Sequence, residues 1–391
     1  MPTSATLQRA ASRETDILRH WQISTPRLRP RWAAWLCALA VIALPAAAQS
    51  VAFIDPGKSD EIYWVTAARA MQAAAKSLGM RLEVQYAERD HLRTIEIARS
   101  IAARPAAARP DYVIITNDNG TGLEQLRVLD AAGIRTLFAY STIPPSDRRE
   151  IGGPRERYRH WLGSIEPHAE QAGELTARAL LAAARSGRTP AATGKLQVVV
   201  LAGDRATPSS TRRDAGMMSV FAADPDVEVM QVVYAGWSRE KAEEQAEWLF
   251  GRYPEARIVW AANDLMAFGA MRAWEKRGGH PGGDAWFSGI NTSPEALKDV
   301  TSGRLSALAG GHFIAGAWAL VMLSDYARGR DFASEGLDLD RPMFTLFDAG
   351  KAARFTQLYG ENFERIDFRR YSKALNPRLR RYDFDFAQLL R

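Results

Sequence analysis

From residue 50 onward the chain alternates short apolar runs of strand type with longer stretches whose apolar positions recur at helical spacing. Runs at 50–55, 82–86, 111–116 and 134–140 are separated by helical patterns, the first marked by Ile62, Val65, Ala68, Met71 and Leu78 on one face and the others at 91–103 and 122–132. Strands alternating with helices of about 10–15 residues are the signature of βαβ units around a parallel sheet. Residues 141–159, with three prolines, two adjacent glycines and many charges, interrupt the rhythm and read as a long exposed loop. The alternation then restarts, with strands at 160–163, 196–202, 227–234, 257–260, 285–290 and 304–309. Helices fall at 167–184, 211–222, 238–250, 265–277, 294–301 and 312–328. The fold class is therefore α/β, with parallel sheets flanked by helices in two sequential halves of similar size. A chain of 391 residues accommodates two such domains. Residues 343–347 and a charged tail close it.

The formal charge of +6 is concentrated before residue 49, where Arg9, Arg13, Arg19, Arg27, Arg29 and Arg31 face only Glu14 and Asp16. The remainder carries 45 basic against 43 acidic residues, which is poor ground for a nucleic-acid partner. Arg27, Arg29 and Arg31 precede an apolar stretch at 32–44 that ends in Pro45-Ala46-Ala47-Ala48-Gln49. A basic flank, an apolar run and an A-x-A end describe a secretory signal peptide cleaved after Ala48, with 1–26 as an N-terminal extension. The apolar run is short of the ~20 residues of a spanning helix. The only cysteine, Cys37, lies inside it, so the mature chain carries no disulfide and no thiol chemistry. The expected location is the periplasm.

Enzymatic signatures are missing. There is no phosphate-binding Gly-x-x-x-x-Gly-Lys-Ser/Thr loop, and Leu201-Ala202-Gly203-Asp204 lacks the further glycines of a dinucleotide fingerprint. The six histidines show no metal-ligand spacing, and Ser288-Gly289 is not a nucleophile elbow. The reading is a non-enzyme without metal or cofactor.

In open α/β sheets ligands bind outside the carboxyl ends of the strands. Those ends carry Glu61, Tyr63 and Trp64 after the first strand and Tyr140 after the fourth. In the second half they carry TPSSTRR at 207–213 (with Ser209 and Arg213), Trp237, Asn263-Asp264 and Asn291. Carboxylates, amides and an arginine fork suit hydroxyl groups, and flat aromatic walls suit the C–H faces of a sugar-like ring. Each residue has a plainer role open to it. Asn263 could simply cap its helix, Tyr63 and Trp64 could be core, Trp237 could staple a helix capped by Ser238, and Arg212-Arg213 could be solvated surface.

Taken together, Ala262-Asn263-Asp264-x-Met266-Ala267-x-Gly269-Ala270 and Gly289-Ile290-Asn291-Thr292-Ser293-Pro294-Glu295-Ala296-Leu297 resemble the type I periplasmic binding proteins for sugars, over about residues 50–345. Within them, Pro56-Gly57 with Tyr63-Trp64-Val65, and more weakly Phe363-Glu364-Arg365-Ile366 with Arg370-Tyr371, is most similar to the periplasmic receptors for autoinducer-2. The resemblance implies two Rossmann-like lobes, 49–162 with 310–340 and 163–309 with 341–391 including the tail. They would be joined by three hinge strands near 162–165, 309–313 and 338–344. It implies that Asp264 and Asn263 take sugar hydroxyls, that Arg213 is the second lobe's arginine, that Trp237 stacks, and that Tyr63 and Trp64 form the first lobe's wall. It implies a monomer that hands a small hydroxylated ligand to an ABC importer, or reports it to a membrane sensor kinase. Asn291 stands where several members have Asp. Gly311 stands where Gln, Asn or Arg is usual, with His312 beside it.

Overall fold

The structure is a computed structural model that describes residues 48–187, 194–360 and 362–391; of the leader expected at 1–48, all but Ala48 lies outside the described residues. Strands β1 (Ser50–Asp55), β2 (Arg81–Tyr86), β3 (Tyr112–Ile115), β4 (Arg135–Ala139) and β5 (Trp161–Pro167) are linked by α1 (Ile62–Leu78), α2 (His91–Ala103) and α3 (Gly122–Ala131). A second series follows: α4 (Ala169–Ser186), β6 (Leu196–Ala202), α5 (Pro208–Ala222), β7 (Val227–Tyr234), α6 (Arg239–Arg252), β8 (Ile258–Ala261), α7 (Asp264–Lys276), β9 (Trp286–Ile290), α8 (Pro294–Ser302) and β10 (Ala307–Gly310). Helix α9 (Ala315–Ala327) and β11 (Asp338–Arg341) return to the first group, and β12 (Thr345–Phe347) and α10 (Ala349–Leu358) to the second.

Two six-stranded sheets result, ordered β11-β5-β4-β3-β1-β2 and β12-β10-β9-β8-β6-β7. Every pairing is parallel except β10 with β12. Helices cover both faces, so central strands such as Val198–Leu201 and Ile258–Ala261 are buried throughout and read as continuous apolar runs rather than alternating ones. Side-chain caps set several helix starts, among them Asp90 on α2, Ser238 on α6, Ser293 on α8 and Asp348 on α10. No helix among the described residues is long and apolar enough to cross a membrane.

Three readings are corrected. The strand expected at 160–163 is longer, runs on to Pro167 and stays in the first sheet, so the chain crosses to the second lobe at His168. The segment 141–159 is not simply exposed. Ser141, Thr142, Ile143 and Ile151 are buried, and Arg148 fastens it to Asp338 (2.6 Å) while lying over the Trp161 ring. The tail, expected with the second lobe, divides between the two. Phe368, Tyr371 and Phe384 surround Trp318 of α9 on the first lobe, because that helix is apolar around its circumference from Ala315 to Leu323 and needs a second cover. Phe386–Leu390 then returns to α10 on the second lobe. The tail therefore adds two crossings to the three hinge strands.

Candidate functional site

The carboxyl ends of the two sheets face each other across a narrow cleft lined by residues of both lobes. The lobes meet over it, where the Asn119 backbone N–H of the first donates to Thr207 Oγ1 of the second (3.2 Å). Backbone geometry marks the site independently of its side chains. Tyr140 (φ 68°), Trp237 (φ 66°) and Asn291 (φ 135°), one after each of three strands, lie at positive φ, where non-glycine residues are rare and strained. Such strain clusters at ligand clamps.

Glu61, Tyr63, Trp64, Tyr140, Ser209, Arg213, Trp237, Asn263 and Asn291 all line the cleft. On the first lobe, Trp64 packs edge-on to Tyr63 (centroids 4.9 Å apart) and Tyr140 (5.2 Å), and the Tyr140 hydroxyl donates to the Phe313 carbonyl (3.1 Å). Burial drives the acidity of Tyr63 and Tyr140 far out of the physiological range, so both are neutral donors. Glu61 is held by a two-pronged contact with Arg89, whose Nε donates to Oε2 at 2.8 Å. Asp118 lies 3.8 Å from the same guanidinium, and burial raises its pKa to about 6.

On the second lobe, Asn263 does both things open to it. Its Oδ1 accepts from Met266 N–H at the start of α7 (2.8 Å), and its amide nitrogen donates to the Trp237 carbonyl (3.4 Å). Trp237 Nε1 donates to Asp204 (2.8 Å), which fixes the indole against Gly203, where a Cβ would meet the ring at 2.3 Å. The adjacent arginines part company. Arg212 bridges Glu170 (2.8 Å) and Asp340 (2.5 Å) at the hinge, where His168 also brings a ring nitrogen close. Arg213 turns into the cleft. Its Nη1 donates to the Ala262 carbonyl (2.9 Å) and Nη2 to His312 Nε2 (3.0 Å), while Nε is buried without a partner. Burial lowers the pKa of Arg213.

Asp264, expected at the ligand, stands one layer back. It is fully buried, does not line the cleft, and its Oδ1 accepts from the Asn291 amide (2.7 Å), leaving Oδ2 without a partner. The physical reason is the cap. With Asn263 facing the cleft, the next residue opens α7 and turns toward β9. Asn291, pinned by that carboxylate, presents itself to the cleft instead.

Arg89, Asp118, Pro167 and Thr207 complete the lining, with His312. The imidazole is sandwiched between Tyr63 (4.9 Å) and Phe344 (4.5 Å). Burial, and then the charge of Arg213, keeps it neutral. A guanidinium can only donate, so Nε2 is the acceptor and the ring proton sits on Nδ1, which is buried and unpartnered. Gly311 beside it has φ +114°, and a Cβ there would stand 2.3 Å from the Phe386 ring. No side chain fits at this hinge position, which accounts for the missing amide or arginine.

A family model described as a periplasmic binding protein domain matches residues 51–331. Among curated proteins, the D-allose-binding periplasmic protein of Escherichia coli (strain K12) is 27% identical over 155 residues, 39% of this chain and 48% of that protein. The xylitol-binding protein of Mycolicibacterium smegmatis is 31% identical over 113 residues, 28% of this chain and 31% of that one. The matches thus span half or less of these relatives. A periplasmic sugar-binding protein from Pseudomonas fluorescens, solved by crystallography, is 36% identical, with a TM-score of 0.79 over 88% of this chain and 100% of that chain. A solute-binding protein from Actinobacillus succinogenes with bound D-allose shares the fold, with a TM-score of 0.65 at 19% identity over 78% of this chain and 99% of that one.

Proposed function

The chain belongs to the periplasmic binding protein family, and on that premise we propose that it captures a small polyhydroxylated ligand, a sugar or sugar alcohol, between its lobes. The observation that carries this reading is a set of buried polar atoms without partners grouped around the cleft. Arg213 Nε, His312 Nδ1 and Trp64 Nε1 are such donors on residues of the lining, and the Asp118 carboxylate, on the same lining, can accept. Leaving such groups unsatisfied costs about 1–3 kcal/mol each, so a ligand that both donates and accepts is strongly favoured over an apolar one. The aromatic walls of Tyr63 and Trp237 supply the flat surfaces that a sugar ring's C–H faces would meet.

Export would follow from the leader, cleaved after Ala48, and the closed form of a monomer would be what the membrane component of an ABC importer recognises. A second reading, a receptor for autoinducer-2 acting through a sensor kinase, is supported only by the stretch at 56–65 and by the tail. Thermal unfolding of residues 49–391 against sugars, polyols and autoinducer-2, with and without borate, tests both. A folded-state ligand at a hundred times its Kd adds about 2.7 kcal/mol of stability. A shift with a sugar or polyol supports the sugar-capture reading, and a shift with autoinducer-2 alone supports the second. No shift across the panel, with no sugar released on denaturation, overturns both.

A further inference from the structure

The tail after α10 is built into the hinge rather than laid on the surface. Its first part is seated on the first lobe. Asp325 of α9 is fully buried, and all its acceptor capacity is used by the tail: the Ser372 hydroxyl, the Lys373 and Ala374 N–H groups (2.7 and 3.1 Å) and the Tyr382 hydroxyl (3.0 Å). Lys373 also pairs with Glu335 (2.8 Å). The last residues are seated on the second lobe, where the hydroxyl of Tyr359, just past the end of α10, donates to the Leu389 carbonyl (2.7 Å). Between the two seats Phe386, with no exposed surface, enters a nest of Phe313 from the first-lobe side and Phe347 and Phe355 from the second. It fills the space that Gly311 leaves in the middle hinge strand.

We propose that this segment is a clasp that sets how far the lobes can part, and so regulates access to the cleft; this rests on the reading that the lobes open and close around a ligand. With one end of the clasp on each lobe, opening has to withdraw Phe386 from between Phe313 and Phe355. The ligand-free protein is therefore held near its closed form, and the aromatic nest acts as a latch.

The test needs no ligand, so its failure is distinct from failure of the sugar reading. Residues 49–391 contain no cysteine, and Glu96 on α2 and Glu244 on α6 are exposed, one on each lobe. Spin labels at E96C and E244C report the interlobe distance. The variants are Phe386→Ala, which empties the latch, and Tyr359→Phe, which deletes one hydroxyl and leaves the core packing intact. In the ligand-free state the parent gives a narrow distance distribution, and both variants give longer, broader ones, Phe386→Ala more so. Amide exchange over 311–314 rises about tenfold or more in Phe386→Ala. Superimposable distributions in parent and variants overturn the proposal. If Phe386→Ala does not fold, Tyr359→Phe decides on the same criterion.

Discussion

Arg213→Met offers a sharp test of the cleft, because the structure separates what the guanidinium does for folding from what it offers a ligand. Two of its nitrogens are committed, to the Ala262 carbonyl and to His312 Nε2. Removing them orphans two buried acceptors at about 1–3 kcal/mol each, partly offset because a charge no longer has to be buried. The ligand-free protein should melt lower yet unfold cooperatively. Nε is the free donor, and a hydrogen bond from a charged group contributes about 1.5–3 kcal/mol. Its loss weakens binding by roughly 10- to 150-fold. Loss of the Arg213 contact also frees His312 to change tautomer, which pushes the effect toward the upper end. Titration calorimetry with whichever sugar raises the melting temperature gives the affinity, and a melt without ligand gives the stability. An unchanged Kd in a folded variant would refute the assignment of Arg213 to the ligand.

Trp237→Ala should leave the fold intact and weaken sugar binding about tenfold through lost stacking; loss of cooperative unfolding in its melt would return this indole to a core role. Gly311→Ala should cost about 1–3 kcal/mol for its positive φ and a similar amount for overlap with Phe386. Chemical denaturation should show Phe386→Ala in the same chain recovering only the second part, and full additivity would contradict the contact. Burial raises the Glu166 and Asp214 pKa values to about 7 from ordinary values of 4.5 and 3.8. The folded state then holds protons that the unfolded state releases. Their contribution is complete below the ordinary values and is lost as pH rises through 7, at up to about 1.4 kcal/mol per pH unit for each. Glu166→Gln, whose amide oxygen can still accept from Thr142 N–H, should flatten the decline in melting temperature between pH 5 and 8; an identical slope would exclude Glu166 as its source.

Much of the architecture was legible because each βαβ unit writes its own periodicity, and the cleft was legible because strand ends in such sheets converge. Asn263 and Trp237 could be placed there from position alone. Which of two adjacent polar residues faces inward could not be read, since one turn of backbone at the cap separates Asn263 in the cleft from Asp264 behind it. Arg89 and Asp118 were missed for a related reason. Both sit in hydrophilic turns, where charge is ordinary, and only the third dimension brings them beside Glu61. His312 was noticed without a role, because its stack needs Tyr63 and Phe344 from distant parts of the chain. The tail carried a weak resemblance but no signal of where it packs. Phe363, Phe368, Phe384 and Phe386 follow neither a helical nor a strand period; Phe368 and Phe384 cover Trp318 of α9, and Phe363 and Phe386 pack on Phe313 and Phe355, contacts far apart in the chain.

The discontinuity of the first lobe also bears on the order of assembly. The second lobe draws its sheet core from β6 to β10, nearly continuous in the chain, with β12 added at one edge. The first draws on β1 to β5, then α9 and β11, and finally the tail around Trp318. Contacts separated by so much sequence form late, because the intervening loop must be closed before they can be made. The second lobe is therefore the natural nucleus, and the first remains unsealed on its α9 side until the last thirty or so residues arrive. A refolding experiment with pulse-labelled amides should see β8 and β9 protected before β3 and β4.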